Sequence, residues 1–168
     1  MTLEYLIAKI LAESNGIGGK LATYMGEPAI SCPVPPPDVD EGWENRNQYP
    51  RISFSVNMQA NPERQTSGLL SLYVWYEEQL WMIGQEIEMS VRNTLSGVFL
   101  QPDSDSIYSL SWVRTDSFES ASQTNPPTLV RGFALLFDIY AFPYQDEDGP
   151  AGCVNRWAKE LLPYAKFI

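Results

Sequence analysis

Residues 67–97, SGLLSLYVWYEEQLWMIGQEIEMSVRNTLSG, decide the fold. The first part alternates. Leu70, Leu72, Val74 and Tyr76 fall on one side of an extended chain, and Leu69, Ser71, Tyr73 and Trp75 on the other. Both sides are largely apolar. The spacing predicts a central strand, buried on both faces or covered by a neighbouring subunit. The period then changes. Ile83, Ile87, Val91 and Leu95 recur every four residues, separated by Glu86, Glu88, Arg92 and Asn93. That is an amphipathic helix with one apolar stripe. Glu88 and Arg92 are placed for an i,i+4 pair, and Gly97 is a natural stop.

Working outward, residues 2–14 predict a first helix. Leu3, Leu6, Ile7, Ile10 and Leu11 form its stripe, Thr2 its N-cap, and Asn15-Gly16 its end. Gly16, Gly18, Gly19 and Lys20 imitate a phosphate loop. The spacing is wrong, Leu21 stands where Ser or Thr is needed, and the segment follows a helix, so a flexible turn is expected. Residues 28–49 form a Pro-rich acidic loop holding Pro33, Pro35, Pro36 and Pro37. Its acids, Asp38, Asp40, Glu41 and Glu44, lack EF-hand spacing and are expected to be solvated. Trp43 is the aromatic in this polar loop, and it can dock on its own body or on a partner.

Residues 51–57 predict a strand with Ile52, Phe54 and Val56 on one face. Residues 107–114 predict another, and 129–142 a long one. Residues 115–128, TDSFESASQTNPPT, read as a polar hairpin tip or arm. A last helix is expected at about 151–162, with Val154, Trp157, Ala158, Leu161 and Leu162 on its stripe, ended by Pro163. The expected order is α-β-β-α-β-β-α. It gives an α+β fold: a four-stranded antiparallel sheet with helices packed on one face, in a single domain spanning 1–168.

Composition narrows function by exclusion. The chain of 168 residues has a formal net charge of −10, and its eleven basic residues are scattered. Nucleic-acid surfaces need clustered Lys and Arg, and anionic membranes repel such a chain. No stretch approaches the length of a membrane span, and the N-terminus lacks the layout of a signal peptide. There is no His, which removes the usual general base and the commonest zinc ligand. Cys32 and Cys153 are isolated thiols that fit a reducing compartment, with a disulfide left open. Asp103 and Asp105 sit in turn composition. Glu77 and Glu78 are adjacent and point to opposite faces of a strand. Neither pair makes an acid–base couple. No catalytic residue, cofactor or metal ligand is expected, and the chain is not read as an enzyme.

The order of pieces resembles the tail terminator, or tail-completion, proteins of long-tailed bacteriophages and related prophage elements. The resemblance rests on the N-terminal helix and loop, then YPRISFSV at 49–56, SGLLSLYVWY at 67–76 and the helix through Ile83 to Leu95. RGFALLFDIYAF at 131–142 looks like the family's final strand. About two-thirds of the chain is covered; the Pro-rich loop and the C-terminal helix depart from the pattern. Membership would imply a structural protein forming a ring, usually sixfold, on the end of the tail tube. The ring stops polymerisation and meets the head connector. The implied partners are copies of itself, the tube protein and the head-connector protein. The implied location is the bacterial host cytoplasm during assembly, then the virion tail. Arg64, Arg114, Phe118, Asp138 and Trp43 are candidate interface residues. Asp38, Asp40, Glu41 and Glu44 are a candidate acidic lumen or loop surface. Another head–tail connector or neck component, and a non-phage adaptor or ligand-binding module, remain as alternatives.

Overall fold

The structure, a computed structural model, describes residues 2–33, 41–59, 66–102, 106–121, 128–143 and 166–167. The first helix, α1 (Leu3–Glu13), is capped by Thr2, whose Oγ1 accepts the Tyr5 amide at 3.2 Å. Its whole apolar stripe is buried. A 3₁₀ turn at Gly18–Lys20 follows, then three two-residue strands: β1 (Thr23–Tyr24), β2 (Glu27–Pro28) and β3 (Ile30–Ser31). The chain continues through a 3₁₀ turn at Glu44–Arg46 into β4 (Arg51–Gln59) and β5 (Thr66–Glu77). Then come α2 (Trp81–Leu95), β6 (Val98–Leu100), β7 (Ser106–Ala121), β8 (Leu129–Pro143) and β9 (Lys166–Phe167).

This corrects the expected four-stranded α+β sheet with three helices. Among the described residues the main sheet has seven strands, in the order β3-β4-β5-β8-β7-β6-β9, and β1 and β2 form a separate ribbon. The sheet is mixed: β3 joins β4, and β9 joins β6, in parallel. Only two α-helices are described, so strand dominates. The expected helix at 151–162 lies outside the described residues. The four long strands stand close to their expected positions, and the extra strands are the short ones. Two- and three-residue strands carry too few side chains to show a period. β1, β2 and β3 lie in or just before the expected Pro-rich loop. Backbone bonds join them to the start of β4: Ala22 N to Pro50 O at 2.8 Å and Ile52 N to Ala29 O at 2.9 Å.

A second correction concerns β7. It runs on to Ala121, through half of the stretch expected to be a hairpin tip. Most residues there are exposed, with only Thr115 and Phe118 half-buried. Its partner β8 supplies the apolar side chains and backbone bonds that hold it extended.

The core lies on one face of the sheet. Ile52 and Phe54 of β4, Leu70, Leu72 and Val74 of β5, and Leu135, Phe137 and Ile139 of β8 meet both helical stripes in one buried cluster. From α2 come Ile87, Val91 and Leu95. Gly97 ends α2 with φ +71°, and its amide bonds to Leu110 O at 2.9 Å. The left-handed conformation suits glycine there. Leu72 sits at the centre with no exposed surface, opposite Phe54 and Leu135. Leu72→Ala is expected to lower the unfolding free energy by about 2–5 kcal/mol, read from urea melts.

Candidate functional site

With the core on one side, the other face of the sheet becomes the molecule's outer surface. Strand alternation places Leu69, Tyr73 and Trp75 of β5 there. Their neighbours are Ala134, Leu136, Asp138 and Tyr140 of β8, and Arg114, Asp116 and Phe118 of β7. Leu69, Tyr73 and Tyr140 are exposed large side chains in this row. The central strand is therefore buried on one face within its own chain.

Phe118 is half-buried between two aromatic rings. It meets Trp75 edge-on at 4.8 Å and Tyr73 edge-on at 6.0 Å between centroids. The Trp75 indole N–H donates to Ser53 Oγ at 2.9 Å. The cluster exists because Gly132, directly opposite Phe118, has no side chain. A Cβ there would lie 2.3 Å from Phe118 Cζ and 2.7 Å from the Val74 carbonyl oxygen.

The remaining candidates scatter. Arg114 is exposed and pairs with Asp116 at 3.0 Å. Asp138 is half-buried on the outer face, opposite Leu69 and Ser111. It lines a concavity of about 270 Å³ with Asn57, Gln59 and Tyr140. Trp43 is buried against its own chain, stacking on Tyr24 at 4.9 Å beside Ala22 and Ala29. Glu41 and Glu44 are exposed. Arg64, Asp38 and Asp40 lie outside the described residues. The structure thus puts Arg114, Phe118 and Asp138 on one face, with Asp138 well along β8 from Gly132, the residue opposite Phe118, and holds Trp43 in a separate buried cluster.

Two features escaped the sequence reading. Arg131 bridges Glu78 and Glu119, each at 3.1 Å, locking the end of β8 to β7 and to the turn after β5. The second is a groove beside α2. Trp81, Met82 and Met89 are exposed and line about 550 Å³ together with Gln85, Glu86, Glu88, Arg92, Thr115 and Phe133. Trp81, Gln85 and Met89 recur every four residues. That spacing was available in the sequence as a second helical stripe. At one wall of the groove the Trp112 indole donates to Thr115 Oγ1 at 3.1 Å, and that hydroxyl donates to Glu88 Oε1 at 2.9 Å. The expected Glu88–Arg92 pair is present at 3.9 Å, and Arg92 also lies over the Trp112 ring. These contacts fasten α2 to β7. Lys20, from the glycine-rich turn, pairs with Glu86 on α2.

Among the described residues no three His, Cys, Asp or Glu side chains gather to hold a metal ion. No described helix is long and apolar enough to cross a membrane. Among the described residues, two groups are displaced from their ordinary pKa. Burial pushes the Tyr76 hydroxyl up, against the pull of Arg131, with Glu119 adding to the rise. Burial, then the Glu4 carboxylate, pushes the Cys32 thiol up.

No protein-family model and no curated protein sequence matches the chain. Among solved structures, the fold is similar to a chain of the "Virion of native gene transfer agent (GTA) particle". The TM-score is 0.55 at 13% sequence identity, over 83% of this chain and 93% of that chain. At that identity the likeness is one of fold.

Two outcomes follow from this geometry. Gly132→Ala is expected to destabilise by about 1–3 kcal/mol, through overpacking against Phe118 and Val74. Adding Phe118→Ala should recover part of that loss, so the double-mutant cycle measured by urea melts will be non-additive. A raised Cys32 pKa leaves less thiolate at neutral pH than an ordinary thiol. In a Cys153→Ser chain, iodoacetamide should label Cys32 more slowly than free cysteine at pH 7.5, with the rate still climbing above pH 9.

Proposed function

We propose that the protein is a structural component of a phage-like particle, and that it acts as a tail terminator. In this reading a ring of copies, sixfold as the family resemblance implies, caps the finished tail tube and ends its polymerisation. It then offers the surface that meets the head connector. The observation that carries the reading is the fold likeness to a chain of the gene transfer agent virion, spanning nearly the whole of that chain.

The molecule's surfaces support an assembly role. Leu69, Tyr73 and Tyr140 on the outer sheet face, and Trp81, Met82 and Met89 beside α2, are exposed apolar groups in two separate regions. Apolar patches of this kind mark partner contacts more often than solvent-facing surface. A head-to-tail ring needs two different contact patches on each copy. The net charge of −10 suits a channel that DNA crosses without adhering. The partners in this reading are other copies of the chain, the tube protein and the head connector. Assembly takes place in the bacterial cytoplasm and the product resides in the virion tail. No reaction and no cofactor are assigned.

The test is deletion of the gene in the producing strain, with particles examined by electron microscopy. Tubes of uncontrolled length and heads without tails are expected. Normal, joined tails in the absence of the protein would overturn the reading. Tubes of normal length beside unjoined heads would move the protein to the neck.

A further inference from the structure

Among the described residues the main sheet is left open along parts of two strands, and those parts complement each other. On one side, β3 covers β4 only at Ile52 and Ser53. Beyond them, from Phe54 to Gln59, no described strand pairs with that edge of β4. Exposure follows the cover: positions 51–54 are buried, and 55–59 alternate between exposed and half-exposed. On the opposite side, β6 covers β7 only from Tyr108 to Leu110. From Ser111 to Ala121 no described strand pairs with the far edge of β7, and most of those residues are exposed. Neither open length contains Pro or Lys, the residues that commonly blunt a free edge. The β7 edge carries one irregularity, between Trp112 and Arg114.

We propose that these two edges pair with each other between copies of the chain, the open length of β7 in one copy accepting the open length of β4 in the next. This deepens the ring reading above, on which it rests, by naming the contact. Three observations favour a second copy as the occupant. The first is polarity. β4 is antiparallel to β5, β5 to β8, and β8 to β7. Rotation about an axis along the strands therefore brings β4 of the next copy alongside β7 in antiparallel sense, the more stable pairing. The second is position. β3 blocks β4 near its start and β6 blocks β7 near its start, so both free lengths run to the C-terminal ends of their strands. A stagger between copies overlaps them without collision. The third is face. Phe54 lies level with Leu72, Leu135 and Thr115, and Val56 with Leu70, Phe137 and Trp112. A stagger by an even number of residues continues the core-facing row from one copy into the next. Each copy then uses two different edges, so the contact is heterologous, and it closes into a ring where the strands tilt to the ring axis so that the stagger does not accumulate.

The experiment uses the full chain and two pairs of proline variants. Adjacent residues of a strand point their amides to opposite sides. In each pair, Ser55→Pro or Val56→Pro on β4 and Asp116→Pro or Ser117→Pro on β7, one variant therefore removes only an outward amide. That member is recognised by a wild-type thermal melt. Sedimentation and amide hydrogen exchange are measured across concentration. The expected result is association of the wild type, with protection rising together in peptides covering 55–59 and 111–121. The well-folded proline variants should stay monomeric at concentrations where the wild type assembles. The proposal is overturned if the wild type remains monomeric at every attainable concentration. It is also overturned if the chain associates without protecting both edges, or if the folded proline variants assemble normally. Those failures leave the virion reading standing if the chain is still found in particles. Edge protection in a protein that never enters particles would instead sink the virion reading and keep the contact.

Discussion

The antiparallel pairing of β5 with β8 is the constraint on which everything else depends. It joins Thr66 to Ala141 at one end and Glu77 to Val130 at the other, without a break. It sets Leu70, Leu72 and Val74 beside Phe137, Leu135 and Phe133 in a single apolar row. A slip of one residue would turn that row toward solvent and bring Tyr73 and Trp75 inward. Full burial of such side chains contributes about 1.5–3 kcal/mol each, so the register is strongly fixed. Both helices bury their stripes against this row and the flanking rows of β4 and β7.

Once the core face is fixed, the opposite face must carry whatever remains, and here polar and charged residues share it with apolar ones. The aromatic cluster of Tyr73, Trp75 and Phe118 shields part of it. The face is thus ordered within the chain at one end and still presents Leu69 and Tyr140 toward the other.

The same division governs the strands that the sequence reading missed or shortened. β3 and β6 are too short to hold themselves, and each exists because a long strand offers it backbone partners. They cover one end of β4 and of β7, and no other described strand covers the rest of those two edges. The polar half of β7 illustrates the rule. Ser117, Glu119 and Ser120 have little reason to be extended by themselves, but they face Phe133, Arg131 and Val130 of β8 across twin strands. Clamping of α2 to β7 through Trp112, Thr115 and Glu88 adds a second support from the helix side.

The sequence by itself determined both described helices, their caps at Thr2 and Gly97 and the placement of the four long strands. These are local matters: a period of 2 or 3.6, a capping oxygen and a glycine at positive φ are written in neighbouring residues. It also determined the Glu88–Arg92 pair, since four positions on a helix fix that distance. Only the tertiary structure decided that the sheet has seven described strands, that Trp43 turns into its own chain, and that Phe118 meets Trp75. Those outcomes depend on pairings between residues tens of positions apart. Phe118 has room beside Trp75 because Gly132, on a different strand, lacks a side chain, and no window of local sequence contains all three.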